Sequence, residues 1–229
     1  MSAAVSKQPR LAEGLAMVFD MDGVLIDSNP VHVEAWQIFN RRHGLETTES
    51  MRGNMYGRRN DEIIRANFGH RLTPEQIEAR GADKEQLYRE LVGNRIEKML
   101  VPGLRAFLEY HRDDPMAVAS NAEPANVDFV LNRSGLRKFF RVVVDGHQVE
   151  KPKPHPEVYL RTARLLRIAP ANCLVFEDSY FGVEAARAAG ARVIGVLTTH
   201  GDLPGVELTI DNFGSGNLEP WLQTQTPAI

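Results

Sequence analysis

The sequence predicts an α/β protein with a doubly wound parallel sheet and an inserted all-α domain. From residue 102 onward, short apolar runs typical of strands alternate with amphipathic helical stretches. This alternation is typical of parallel βαβ units. A further apolar run at residues 15–19 is separated from the next strand by a long, polar, helical block. That block indicates an insertion after the first strand.

The first predicted strand covers residues 15–19 and runs into two acidic residues and a glycine. Residues two apart in an extended chain project to the same side, so Asp20 and Asp22 face one site. Ligands bind at the carboxyl ends of strands in open α/β sheets. Two carboxylates this close resist ionising together unless a cation or a proton lies between them. Mg²⁺ is the usual cation for such oxygen ligands.

The helical block begins with a helix over residues 31–42, which has Ala35 and Phe39 on one face and Gly44 after its end. Residues 47–98 continue the helical pattern without a strand, and Pro74 after Thr73 indicates another helix start. We expect residues 30–97 to form a helical cap. Residues 15–29 and 98–229 then form the α/β catalytic core, and residues 1–14 form a flexible tail.

The remaining elements belong to the core. Apolar runs predict strands, and apolar residues at helical spacing, with proline and glycine at the ends, predict helices. The predicted strands are residues 116–119, 142–144, 173–176, 192–196 and 207–210, and the predicted helices are residues 103–112, 124–134, 156–167, 179–189 and 218–222.

The composition is that of an ordinary water-soluble protein. The 229 residues carry a formal net charge of −3, with 43% hydrophobic and 25% charged residues. This balance gives no reason to expect nucleic acid or membrane as a partner. No apolar stretch approaches the roughly 20 residues that span a bilayer. The single cysteine, Cys173, lies in an apolar run, so we expect a buried, inert thiol. A cytoplasmic monomer is the simplest expectation.

Polar side chains follow four of the predicted strands and should meet at one edge of the sheet. Besides the two aspartates, they are Ser120 and Asn121, Lys153, and Glu177 with Asp178. Carboxylates that hold a cation, together with a hydroxyl and a lysine, suit a phosphate ester, because cations neutralise phosphoryl oxygens while a carboxylate attacks phosphorus. Taken singly, each has a plainer explanation: Ser120 as a helix cap and Lys153 as a surface lysine.

Four sequence motifs in this order resemble those of the haloacid dehalogenase-like superfamily, in its branch with a helical cap after the first strand. They are DMDGVL at 20–25, Ala-Ser-Asn at 119–121, KPHPE at 153–157 and FEDS at 176–179. The resemblance implies a Rossmannoid core. It also argues against carbon–halogen cleavage, because phosphatases and phosphomutases of the family carry a second aspartate at the position of Asp22 and its dehalogenases do not.

The resemblance also implies roles for these residues. Asp20 is the expected nucleophile, forming an aspartyl-phosphate. Asp22 is the expected general acid and base. Mg²⁺ is expected on the Asp20 carboxylate, the Asp22 backbone carbonyl and Asp178, with Glu177 as a ligand or just outside the ligand sphere. Ser120, Asn121 and Lys153 are expected to bind the phosphoryl group, and Lys151 is the alternative lysine.

The closest likeness within the family is to β-phosphoglucomutase and its sugar-phosphatase relatives. His32 matches a histidine that relays the state of Asp22, and Lys84 matches a cap lysine that contacts substrate. Arg59 stands near the position of a cap arginine, one residue out of register relative to Gly57. Where the mutase keeps polar residues for a second phosphate, this chain has Ala122 and Pro124.

These departures favour a phosphatase acting on a small phosphorylated sugar or polyol. A β-phosphoglucomutase-type phosphohexomutase is the alternative. It is less favoured because a mutase needs a site for a second phosphate. A binding or regulatory protein without turnover is a third possibility, since one fold can serve several functions. The complete set of acids, serine and lysine disfavours it.

Overall fold

A computed structural model of the chain describes residues 10–53, 55–56, 58–69 and 72–228. Gly57, the reference for the register of Arg59, lies outside the described residues, as do residues 1–9 of the predicted tail. Among the described residues, no helix combines the length and the apolar character needed to cross a membrane.

Six parallel strands form one sheet in the order β3-β2-β1-β4-β5-β6. The first strand of the chain lies in the middle of the sheet, and the strand order reverses on either side of it, as the doubly wound prediction requires. The strands are β1 Ala16–Phe19, β2 Met116–Ala119, β3 Val142–Val144, β4 Cys173–Glu177, β5 Arg192–Val196 and β6 Leu208–Ile210.

Helices cover the sheet and form the insertion. They are α1 Asn29–Arg42, α2 Glu49–Gly53, α3 Asn60–Phe68, α4 Pro74–Val92, α5 Leu104–Tyr110, α6 Pro124–Arg133, α7 Glu157–Leu166, α8 Tyr180–Ala188 and α9 Leu218–Gln223. The segment with α1 to α4 lies between β1 and α5 along the chain, and we call it the cap. Within it, α4 packs against both α1 and α3.

The predicted strands and helices occur in the predicted order, with ends that differ by a few residues. Apolar side chains of the strands are buried on both faces of the sheet. On one face, Phe19 stacks on Phe176 with ring centroids 4.7 Å apart. Cys173 is buried as predicted, and burial raises the pKa of its thiol to about 11. The thiol is therefore protonated at neutral pH and is not a nucleophile.

The N-terminal segment departs from the prediction of a tail that ends at residue 14. Leu11 is 5% exposed, and its backbone N–H donates to the Asp114 carboxylate at 3.2 Å. The same carboxylate also accepts from the backbone N–H of Arg10. The chain is therefore packed against the core from Arg10 and Leu11, because a buried carboxylate anchors it there.

Candidate active site

Asp20 lies at the carboxyl end of the central strand, β1. Its backbone N–H donates to the carbonyl of Phe176 at 3.0 Å and so continues the pairing of β1 with β4. The chain then turns at Gly23, which has φ +83°. A Cβ atom at Gly23 would lie 1.9 Å from an oxygen of Asp178. Glycine therefore lets this turn approach the acid at the end of β4.

Lys153 reaches the sheet edge from the loop that follows β3. It is 2% exposed, and its Nζ donates to Asp20 Oδ1 at 2.6 Å and to Glu177 Oε1 at 2.7 Å. A third bond runs to the carbonyl of Ala119 at 3.1 Å. Lys151, the alternative lysine, is exposed. The structure therefore places Lys153, and not Lys151, beside Asp20.

Two acids at the end of β4 complete the edge. Asp20, Glu177 and Asp178 each offer a carboxylate oxygen within 4.8 Å of the others. Asp178 accepts from Asn29 Nδ2 at 3.0 Å and from the Thr199 hydroxyl. Gly182 in the first turn of α8 makes room for Glu177, because a Cβ there would lie 1.9 Å from its carboxylate.

This edge carries more negative than positive charge. Burial raises the pKa of Asp20 to about 7, and the Lys153 ammonium only partly offsets that rise. Burial, followed by the neighbouring Glu177 and Asp20 carboxylates, also raises the pKa of Asp178. With all three carboxylates ionised, the Lys153 ammonium beside them would leave two negative charges uncompensated, and for this reason their ionisation is disfavoured without a further cation. The arrangement therefore favours an added cation.

Asp22 faces the cap. Its Oδ1 accepts from the hydroxyl of Ser28 at 2.5 Å and lies 3.3 Å from His32 Nε2. Burial by itself raises the pKa of Asp22, but His32 and Ser28 outweigh burial and hold the pKa below its usual value. Asp22 is therefore held as the carboxylate in this state.

The contacts of His32 continue into helix α4. Its Nδ1 lies 2.7 Å from Lys84 Nζ, and its ring stacks on Tyr88 at 3.9 Å. Lys84 donates in turn to Glu85 Oε1 at 2.8 Å. Burial by itself raises the pKa of Glu85, but Lys84 and the other neighbours outweigh it and lower the pKa to about 2. A chain of hydrogen bonds thus runs from Asp22 into the cap.

One cavity between cap and core is lined by both groups of side chains. Ser120 and Asn121 form part of its core wall, where Ser120 is 2% exposed and accepts from the N–H of Ala122. The side chain of Asn121 accepts from the N–H of Lys153 at 3.2 Å. Arg59 lines the cap wall and pairs with Asp61 at 3.4 Å. All the residues proposed from the sequence for binding and catalysis therefore meet around this cavity, with Glu177 just behind it.

The family model described as haloacid dehalogenase-like hydrolase matches residues 15–190. This match spans strands β1 to β4 and the site residues at their ends. The chain belongs to the haloacid dehalogenase-like hydrolase family.

Its relatives in the family include phosphatases and a mutase. The chain is 32% identical to the fructose-1-phosphate phosphatase YqaB of Escherichia coli, over 79% of this chain and 95% of the other. It is 26% identical to the β-phosphoglucomutase of Bacillus subtilis, over 79% and 82% of the two chains. The fold matches the crystal structure of β-phosphoglucomutase from Clostridium difficile with a TM-score of 0.80, at 23% identity over 91% and 96%. The predicted family and enzyme class are confirmed.

Sequence reasoning missed several residues of this haloacid dehalogenase-like site. Asn29 and Thr199 hold Asp178, and Tyr159 donates its hydroxyl to Glu177. Glu85 and Asn126 extend the chain beyond Lys84. Asn29 lies nine residues after Asp20, and this proximity to the first motif was the one available signal. The others depend on how helices and loops pack on one another.

Proposed function

We propose that this chain is a Mg²⁺-dependent phosphatase that hydrolyses a small phosphorylated sugar or polyol through an aspartyl-phosphate on Asp20. The observation that carries the proposal is the pair of aspartates with opposite surroundings. Asp20 is bound to the Lys153 ammonium at the sheet edge, whereas Asp22 is bound to Ser28 and His32 on the cap side. Two carboxylates with separate partners can take separate roles in one reaction.

The donor set at the sheet edge fits Mg²⁺. Carboxylate oxygens are its preferred protein ligands, and the three acids leave two negative charges uncompensated. Glu177 already accepts from Lys153, Tyr159, Ser179 and the N–H of Asp178. Asp20, Asp178 and the backbone carbonyl of Asp22 would therefore hold the ion, with Glu177 behind them. Bound there, Mg²⁺ supplies charge neutralisation for the phosphoryl oxygens.

The first step forms a covalent intermediate. A carboxylate oxygen of Asp20 attacks phosphorus while the bond from phosphorus to the ester oxygen breaks. Ser120 and Lys153 bind phosphoryl oxygens, and the Lys153 ammonium stabilises the charge that builds on them. The departing alkoxide takes its proton from Asp22, which enters this step as the carboxylic acid and leaves it as the carboxylate.

The second step returns the enzyme to its starting state. Asp22 accepts a proton from a water molecule, and the resulting hydroxide attacks the phosphorus of the aspartyl-phosphate. The bond from phosphorus to the Asp20 oxygen breaks, and inorganic phosphate leaves. Loss of its proton to the alkoxide in the first step leaves Asp22 as the carboxylate that this step needs.

The wall of the cavity beyond Asn121 favours hydrolysis over the mutase reaction. It carries Ala122 and the carboxylate of Glu123, which pairs with Arg89 at 2.7 Å. Neither side chain offers a hydrogen-bond donor to a second phosphate, and a mutase must hold a bisphosphate at both ends. The similarity to a fructose-1-phosphate phosphatase supports the same assignment.

Phosphorus NMR tests the proposal directly. The protein is incubated with Mg²⁺ and either fructose 1-phosphate or β-glucose 1-phosphate plus a trace of its bisphosphate, with Asp20→Asn as the matched control. We expect free phosphate with the wild type and none with Asp20→Asn, because the amide is a far weaker nucleophile.

Other products would select the alternatives. Glucose 6-phosphate without free phosphate would make the chain a phosphohexomutase. Mg²⁺ binding without turnover of either sugar or of a generic aryl phosphate would favour a binding or regulatory protein. Turnover of the aryl phosphate alone would keep the phosphatase assignment and exclude these two sugars.

A further inference from the structure

Glu85 connects the cap to the core in the middle of the cavity wall. It is 4% exposed, and its two carboxylate oxygens accept from opposite directions. Oε1 accepts from Lys84 at 2.8 Å and from Asn60 at 2.6 Å, both on the cap. Oε2 accepts from Asn126 Nδ2 at 2.5 Å, which belongs to helix α6 of the core. The carboxylate is thus shared between the two parts of the molecule.

A second contact fixes the orientation of Asn126. Arg89 Nη1 donates to Asn126 Oδ1 at 2.7 Å and to Glu123 Oε1 at 2.7 Å. A guanidinium only donates, so the amide must turn its oxygen to Arg89 and its nitrogen to Glu85. Glu85 and Arg89 are four residues apart on α4 and therefore lie on the same helical face. Together they hold the buried Asn126 from both sides.

The contacts of Lys84 also fix the tautomer of His32. An ammonium has no acceptor, so His32 Nδ1 must accept from Lys84. The proton of the neutral ring then lies on Nε2, which faces Asp22 Oδ1 at 3.3 Å. Lys84 is 1% exposed and lies 5.1 Å above the Trp36 ring, so its direction is constrained by packing.

From this geometry we propose that Glu85 is a positioning residue that couples the seating of the cap on the core to the orientation of His32. Asn126 fixes Glu85, Glu85 fixes the Lys84 ammonium, and Lys84 fixes which nitrogen of His32 carries the proton. Separation of α4 from α6 would remove the core contact of Glu85. The proton donor that faces Asp22 is then fully ordered only when the cap is seated. This inference rests on the proposed function for its consequence in catalysis.

Nitrogen-15 NMR of the histidine side chains tests the coupling on the full chain with Mg²⁺ and without substrate. The His32 signals are assigned from a His32→Gln variant. We expect the wild type to show the Nε2-protonated tautomer, and Asn126→Ala and Glu85→Gln to show a mixture of tautomers. Glu123→Gln is the matched control, because it neutralises the carboxylate that Arg89 also contacts, one residue before α6, and leaves the Glu85–Asn126 contact in place. It should keep the wild-type His32 signals.

Kinetics give the second readout. In Glu85→Gln and Asn126→Ala we expect kcat to fall about tenfold, a fraction of the 10²–10⁴ that general acid–base catalysis contributes. KM should change by less than about twofold, because the phosphate-binding groups are untouched. If Asn126→Ala does not fold, Glu85→Gln, which keeps the side-chain shape, supplies both measurements.

Wild-type His32 signals in the folded Glu85 and Asn126 variants would overturn the coupling, as would an equal change in Glu123→Gln. The NMR readout needs no turnover. Failure to hydrolyse any phosphate ester would therefore overturn the proposed function alone and leave the coupling to be judged by the tautomer.

Discussion

The two halves of the site, the sheet edge and the cap side, arrange their charged groups differently. The sheet edge brings the carboxylates of Asp20, Glu177 and Asp178 around the single ammonium of Lys153. On the cap side each group instead binds the next in a continuous hydrogen-bonded chain of Asp22, His32, Lys84, Glu85 and Asn126. The first group is short of positive charge, whereas in the second each carboxylate has its own hydrogen-bond donors.

This difference assigns different tasks to the two halves. A buried cluster with unpaired negative charge gains free energy from a divalent cation and its phosphate ligand. A continuous chain of hydrogen bonds is satisfied by its own members, and its geometry depends on every contact along it. The sheet edge is therefore suited to binding and attack, and the cap side to holding a proton in a defined place.

Replacing each of the two buried lysines with methionine should give the largest difference between the two halves. Lys153→Met removes the donor that stabilises the phosphoryl oxygens, and we expect kcat to fall by about 10³-fold. Lys84→Met removes a contact two steps from the reacting atoms, and the expected fall is about tenfold. Steady-state kinetics with the phosphate ester that is turned over give both values.

Lys151→Met is the control for the first variant, because Lys151 is two residues away and exposed. It should leave kcat unchanged. Equal losses in Lys153→Met and Lys84→Met would contradict the division between the two halves.

The charge imbalance at the sheet edge also predicts how the metal-free protein responds to pH. The pKa of Asp20 is raised by burial to about 7, and that of Asp178 is raised as well. Stability from protonating these groups is fully present below their unfolded pKa near 4 and is lost as the pH rises through about 7. In EDTA we expect Tm to fall between about pH 5 and pH 7.5 by the equivalent of a few kcal/mol. Mg²⁺ should restore it most at the higher pH.

The cap side should not contribute to that change. The pKa values of Asp22 and Glu85 are lowered, for Glu85 to about 2, so their stabilisation is lost only as the pH falls through those lower values. Asp178→Asn removes one negative charge from the sheet edge and should flatten the pH dependence in EDTA. If Tm depends on pH as steeply in that variant as in the wild type, the charge imbalance at the sheet edge is not the cause of the pH dependence.

The sheet edge is also the half that could be predicted from the sequence. Asp20, Ser120, Lys153 and Asp178 follow predicted strands, and the parallel arrangement brings strand ends to one edge whatever the details of packing. The strands themselves could be predicted from apolar runs, because parallel strands that are buried on both faces consist almost entirely of apolar residues. Position along the chain was therefore enough to assemble these residues.

The cap side could be predicted only in part, because it depends on packing between helices. His32 and Lys84 could be proposed as site residues only because the sequence resembles a known family. Glu85 reads as an ordinary acid on a polar helix, and its burial follows from how α4 rests on α6. Asn126 lies in the first turn of α6 and carries no chemical signal of its own. Contacts such as that between Glu85 and Asn126 depend on how two helices pack in three dimensions. The hydrophobic periodicity of each helix does not predict them.

A further predicted effect concerns Asn29, which lies at the junction of the two halves. It is the first residue of α1, the helix that carries His32, yet its amide donates to Asp178 at 3.0 Å and to Thr199 at 2.6 Å. Asn29→Ala leaves Asp178, the ligand that we propose for Mg²⁺, less firmly oriented, so we expect Mg²⁺ affinity to fall about tenfold, as loss of a group behind a metal ligand does. Calorimetric titration with Mg²⁺ in the absence of substrate measures it.

Asn217→Ala is the matched control, because Asn217 bonds the carbonyl of Thr209 at the end of the sheet and should leave the affinity unchanged. Thr199→Val removes the hydroxyl that bonds the same carboxylate. If Asn29 and Thr199 act as one unit on Asp178, the double variant should lose little more affinity than either single one. Fully additive losses would mean that each holds Asp178 independently, and unchanged affinity in Asn29→Ala would remove the link between α1 and the metal ligand.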